Sequence, residues 1–225
     1  MSLKLFYDLL SQPSRAMYIL LKVSKVPFES CPVNLRGGEH LSEEFREKFN
    51  RFRQVPFIHD KDLKLSESVA IVRYISREYG LGDLYPSDSR EQALVDEYLE
   101  WQHTNTRLFC AQYAYYKAIV PMMTGRDPDL NLVAKHEKGI RRTMDTIENI
   151  WLGKNKFLCG NTISVADLFA ACEIEQPRIA DLNPVAGRPK LEEWLDNVRK
   201  EFDPIYSEAH QTLNQLVSNN GKAKL

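Results

Sequence analysis

Three short stretches put groups capable of chemistry at junctions between elements. In FYDLLSQPSRAMYILLK (6–22), one apolar run gives way to Ser11-Gln12-Pro13-Ser14-Arg15, and a second follows at helical spacing. Proline suits the first helical position, where its missing N–H would be unpaired anyway, so Ser11 or Gln12 is left to cap. That helix start also offers free N–H donors and a positive dipole end to an anion. Ser11 therefore reads either as a cap or as a hydroxyl donating to an anionic atom of a ligand. In RQVPFI (53–58), the Val55-Pro56 bond has two readings. A trans bond opens an ordinary strand; a cis bond, the minority state, turns the Val55 amide and carbonyl outward toward an extended peptide. In LSESVAIVRYI (65–75), Ser66-Glu67-Ser68 lies where a strand hands over to a helix. These are capping residues, or Ser68 holds a carboxylate while Glu67 accepts from an ammonium, the two charges of an α-amino acid.

Other chemistries lack their patterns. No two histidines stand at i, i+4, and no cysteine pair has zinc spacing, so no metal is expected. The phosphate-loop, dinucleotide and nucleophile-elbow motifs are missing. A net charge of −1 over 225 residues gives no case for nucleic acid or an anionic membrane. No apolar run approaches the roughly 20 residues of a membrane span. Cys31, Cys110, Cys159 and Cys172 are widely spread, with no C-x-x-C and no N-x-S/T site; with no signal-peptide pattern at the start, the expectation is a cytoplasmic protein with reduced thiols.

The elements that must position the three junctions alternate in type over the first eighty residues. LKLFY (3–7) reads as a strand, 13–24 as a helix and PFESCPVN (27–34) as a strand. LSEEFREKF (41–49) is a charged helix capped by Ser42, FIHDKDLKLS (57–66) a hairpin, and 67–79 a helix. GLGDLYPSDS (80–89) breaks the pattern as a linker. Beyond it everything is helical: one long helix over 90–118, another over 129–152, a third from about 164, and shorter ones at 189–201 and 203–217, with SNNGKAKL as a frayed tail. In ISVADLF, Ser164 and Asp167 form a capping box, with Ile163 and Leu168 as a hydrophobic staple. The apolar stripe along 108–120 suits either core or pocket. The expected architecture is a βαβ-αββα mixed sheet over 1–79, a linker over 80–89 and an all-α domain over 90–225.

Taken together, DLLSQPSRA, GEHLSEEF, QVPFI, LSESVAI, VDEYLEWQH and ISVADL, in this order and spacing, resemble the cytosolic glutathione transferases, the theta class above all, over about 1–215. The resemblance implies a thioredoxin-like N-terminal domain, glutathione as co-substrate and a homodimer. It assigns Ser11 to the hydrogen bond on the glutathione sulfur and His40 to the glycyl carboxylate. Val55, ahead of a cis Pro56, pairs with the cysteinyl unit, and Glu67 and Ser68 grip the γ-glutamyl end. Gln12, Arg53 and Gln54 complete the glutathione site. Leu9, Leu10, Arg107, Gln112, Tyr115 and Tyr116 line the pocket for a small hydrophobic electrophile. The dimer would use 67–79 and 90–105, with Arg73 and Arg77 meeting Asp96 or Glu100.

The chain departs from the theta pattern at several places. Arg51 replaces a proline, Gln54 a lysine, and Leu41 stands where some relatives carry lysine, so affinity for glutathione is expected to be modest, with Arg53 compensating in part. The tail is short for a lid. Tyr7 is a rival to Ser11, since other classes use a tyrosine after the first strand. The implied activity is conjugation of glutathione to small electrophiles; alternatives are glutathione-dependent reduction of organic hydroperoxides on the same site, or a non-catalytic binding module of the same fold.

Overall fold

The computed structural model describes residues 3–222. The described residues fall into two compact units, one running up to residue 82 and including 202–212, the other comprising 83–201 and the helix residues from 213 on.

In the first unit the strands β1 (Lys4–Tyr7), β2 (Glu29–Pro32), β3 (Phe57–Asp60) and β4 (Leu63–Ser66) form one sheet in the order β2-β1-β3-β4. β1 runs parallel to β2 and antiparallel to β3, and β3 and β4 make the hairpin. The helix α1 (Gln12–Val23) carries the parallel connection, as a crossover between parallel strands requires. Pleating sends alternate residues to opposite faces. On one face Phe6 stacks on Phe57 at 4.4 Å, and Phe45 of α2 (Glu43–Lys48) meets Phe57 edge-on. Val33, Cys31, Leu35 and Val55 close this cluster. Leu5 and Ile58 are paired in register and fully buried on the other face, the side of α1 and α3 (Ser68–Tyr79).

Ser42 caps α2, as its sequence implies, by accepting from the Phe45 N–H. The helix is shorter than 41–49, because Glu39–Leu41 forms a separate 3₁₀ turn that begins after Gly38 at φ +72°.

The second unit is helical: α4 (Ser89–Trp101), α5 (Thr106–Ala114), α6 (Val120–Thr124), α7 (Leu130–Thr146), α8 (Val165–Glu175) and α9 (Pro189–Phe202). A last helix, α10 (Ile205–Lys222), starts in the first unit and ends in the second. The single helix expected over 90–118 is broken. The Asn105 side chain donates to the Trp101 carbonyl at 2.9 Å, and Asn105 itself leaves helical geometry at φ −125°, ψ −89°. Asn and Thr compete for backbone groups in this way and favour helix ends. Tyr115–Ile119 and Ile147–Trp151 are π-helical turns that extend α5 and α7. Gly139 lets α7 approach α5, since a Cβ there would collide with the Phe109 ring.

The capping box at α8 is present as expected: Ser164 accepts from the Ala166 N–H at 3.3 Å, and Asp167 accepts from the Ser164 N–H at 3.0 Å. Asp167 does more than cap. It also accepts from the Leu158 N–H and the Trp194 indole, both at 2.9 Å, and so ties α8 and α9 to the loop before them. Residues 218–222, expected to fray, continue α10, and 223–225 lie outside the described residues.

Candidate active site

The turn between β1 and α1 is bolted from three sides. Asp8 accepts from the Leu10 N–H at 2.8 Å and from the Leu35 N–H at 3.0 Å. The Ser11 N–H donates to the Asp8 carbonyl at 2.9 Å. Arg15, fully buried, donates from Nη1 to the carbonyls of Leu9 and Leu10 at 2.9 and 3.3 Å. Helix α1 starts one residue earlier than its proline implies. Ser11 is the N-cap residue at φ −81°, ψ 125°, yet its hydroxyl makes no capping bond. A half-exposed hydroxyl is thus held at a helix N-terminus whose first turn carries no acid. The dipole and the buried guanidinium both favour negative charge there.

Tyr7 is committed elsewhere. Its hydroxyl bonds Ser30 Oγ at 2.8 Å, toward β2, and its ring leans on Tyr18.

The second junction has the cis Val55-Pro56 bond. Val55 follows a tight turn in which Arg53 sits at φ +55°, and its side chain packs against the Phe6 cluster. Arg53 Nη2 is ion-paired with Glu43 of α2, whereas its Nε is buried without a partner among the described residues. His40 Nδ1 is likewise buried and unpartnered. Burial pushes the His40 pKa below the usual imidazole value, against the opposing pull of Asp8 and Glu39, so its ring is neutral at pH 7. Gln54 is exposed. One nitrogen each of His40 and Arg53, the side chains that the resemblance puts near a glycyl carboxylate, therefore has no partner among the described residues.

At the third junction Glu67 is exposed at φ +70°, ψ 110°, and Ser68 opens α3, 3% exposed. A non-glycine residue at positive φ costs on the order of 1–3 kcal/mol and persists only where its surroundings enforce it. Here β4 ends at Ser66 and α3 begins at Ser68, so the single residue between them absorbs the whole reversal. Glu67 makes no capping bond to α3.

In the helical unit, Tyr115 and Tyr116 meet edge-on on the π-helical turn, and Tyr116 stacks on His136 at 5.6 Å. Gln112 lies in the last turn of α5. The stripe along 108–120 divides: Cys110, Tyr113 and Ala114 are core, while Leu108 and Tyr115 are about 40% exposed. Arg107 differs from a free projecting cation. Its Nε donates to Glu173 of α8 at 2.8 Å, and Glu173 is itself completely buried.

Sequence reasoning missed Asn50, Arg15 and Glu173. Arg15 did leave a signal, a lone cation inside the apolar run of α1; Asn50 reads only as a turn former, and Glu173 only as one more helical acid.

Comparison with known proteins bears on the whole chain. The family model for the glutathione S-transferase N-terminal domain matches residues 1–77, and that for the C-terminal domain matches 109–201. The chain belongs to the glutathione S-transferases. Theta-1 enzymes from Bos taurus and Homo sapiens are each 39% identical to it over 95% of this chain and 89% of theirs. The structure of human glutathione S-transferase T1-1 in its apo form superposes with a TM-score of 0.91 at 37% identity, over 96% of this chain and 91% of that one. A human theta-class enzyme in complex with the glutathione conjugate of 1-menaphthyl sulfate gives a TM-score of 0.92 at 33% identity, over 100% and 92%. This transferase is of the theta class, with the thioredoxin-like and helical parts that its sequence implied. Among the described residues no helix is long and apolar enough to cross a membrane.

Proposed function

We propose that this transferase ionises glutathione through Ser11 and adds the sulfur to small hydrophobic electrophiles. The observation that carries the reading is the Ser11 hydroxyl, held at the start of α1 and spending no bond on it. Supporting it are the theta-class relatives, one of which has a solved structure in complex with a glutathione conjugate.

A free thiol has a pKa near 8.5. Lowering it about two units takes roughly 2.7 kcal/mol of preferential anion stabilisation. One hydrogen bond to a charged group supplies about 1.5–3 kcal/mol, and the helix end adds to it. The thiolate fraction at pH 7 rises about 25-fold, while intrinsic nucleophilicity falls about eightfold. Activation alone nets a few-fold, so most of the rate comes from holding sulfur and electrophile together. The thiolate then attacks the electrophilic carbon, and the leaving group departs with its bonding pair.

Around that sulfur we assign His40, Arg53, Gln54 and Gln12 to the glycyl half of the tripeptide, Val55 and Pro56 to the cysteinyl unit, and Glu67 and Ser68 to the γ-glutamyl end. Leu9, Leu10, Arg107, Gln112, Tyr115 and Tyr116 face the electrophile, with Arg107 steadied by Glu173. In this reading residues 1–79 are the glutathione-binding domain, 80–89 the linker and 90–225 the electrophile-binding domain of a cytoplasmic homodimer, although 202–212 cluster with the first unit. Replacing Ser11 by Ala tests the core of this. Conjugation at pH 7 should fall by the few-fold that activation nets, and further to the extent that the hydroxyl also orients the sulfur, while S-methylglutathione still binds within about threefold; undiminished turnover would refute the serine mechanism.

A further inference from the structure

Asn50 is 4% exposed, and every polar atom of its side chain is used. Nδ2 donates to the Gln54 carbonyl at 2.7 Å, and Oδ1 accepts from the Phe52 N–H at 2.9 Å. The same oxygen accepts from the Ser66 hydroxyl at 3.2 Å. On the backbone, its N–H donates to the Phe45 carbonyl and its carbonyl accepts from the Arg53 N–H, both at 3.0 Å. The 50–54 turn is thereby closed around one amide. The residue after that turn is Val55, and the residue after Ser66 is Glu67.

We propose that Asn50 is a positioning residue that braces the loop leading to Val55 against the end of β4, so that the cysteinyl and γ-glutamyl halves of glutathione meet one rigid surface. This rests on the glutathione reading above. The physical case is that neither segment is self-supporting. Arg53 and Glu67 both sit at positive φ, at +55° and +70°, conformations that relax unless something outside the residue holds them. The loop around Arg53 is held by Asn50, and the residue before Glu67 is held by the same side chain. A buried amide with all its bonds made is rigid, and removing one partner leaves a costly unpaired group. Ligand contacts to both arms then share one brace, and less ordering is left for the moment of binding.

Two variants separate this role from general stability. Ser66→Ala cuts only the link between the arms and leaves the 50–54 turn intact. Asn50→Asp keeps the acceptor but sets an oxygen against the Gln54 carbonyl. S-methylglutathione binding is read by calorimetry on the full chain, alongside steady-state conjugation of 1-menaphthyl sulfate. A lost neutral hydrogen bond corresponds to about a fivefold change in affinity. Ser66→Ala should therefore weaken S-methylglutathione roughly three- to tenfold and raise KM for glutathione in step, with kcat at saturating glutathione within about twofold. Asn50→Asp, which unseats the Gln54 carbonyl, should lose more. A purely structural role would lower the melting temperature without moving KM. Affinity within twofold of wild type in a folded Ser66→Ala protein would overturn the proposal. Failure of the wild-type protein to bind S-methylglutathione would overturn the glutathione reading itself, and the two results are easily told apart.

Discussion

At the scale of single residues, His40 carries a pH signature. Its pKa is held below the ordinary imidazole value by burial. A carboxylate arriving beside it favours the imidazolium, so the complex binds more protons than the free protein, and affinity rises as pH falls. S-methylglutathione, which has no thiol to titrate, isolates this effect. Its affinity should strengthen a few-fold between about pH 7.5 and 5.5, and His40→Gln should flatten the profile; a wild-type profile already flat would remove His40 from the carboxylate site. The same depression acts on folding with the opposite sense. The unfolded chain takes up the proton first, so this stabilising contribution is present above about pH 6.5 and lost as pH falls.

The placement of Ser11, Val55, Glu67 and Ser68 at their junctions was legible because proline or small polar residues mark each strand–helix or turn boundary. Asn50 and Glu173 were not, because their roles come from partners 16 and 66 residues away, and no local pattern announces such a bond.

At the scale of elements, the start of α8 is both the clearest local signal and a tertiary joint. Burial raises the Asp167 pKa while the bonds from Leu158, Trp194 and Ser164 pull it down. Asp167→Ala would remove the acceptor of four donors, the Leu158 and Ser164 N–H groups, the Ser164 hydroxyl and the Trp194 indole, and a buried donor left unpaired costs about 1–3 kcal/mol. Destabilisation of about 3–5 kcal/mol is expected by denaturant titration, whereas a loss under 1 kcal/mol would mean that the joint is dispensable. The capping box was readable because Ser164, Asp167, Ile163 and Leu168 satisfy a rule of spacing. The break between α4 and α5 escaped notice because apolar periodicity runs across it, and a single side-chain bond from Asn105 to Trp101 decides it. The π-helical turns have no sequence rule of this kind and fall inside stretches that read as continuous helix.

On the whole-molecule scale, the order of elements was legible from the alternation of strand and helix before residue 80 and its disappearance afterwards. Less visible was that residues 202–212 cluster with the first unit. There the Tyr18 hydroxyl donates to Glu208 at 2.5 Å, across 190 residues of sequence. The proposed homodimer would associate through α3 and α4. Of the charges named for it, Asp96 already accepts from the Tyr85 hydroxyl at 2.8 Å, which leaves Arg77 as the more telling probe. Sedimentation should give twice the chain mass, and Arg77→Glu should weaken the dimer at low salt more than at high salt; a monomer at micromolar concentration would contradict the assembly.

The most direct test of the account is the acidity of the bound thiol. Titrating glutathione on the wild-type enzyme by thiolate absorbance should give a pKa about two units below the free value near 8.5, and Ser11→Ala should return it upward by at least about one unit. A bound thiol no more acidic than the free tripeptide, or one indifferent to the loss of the Ser11 hydroxyl, would contradict it.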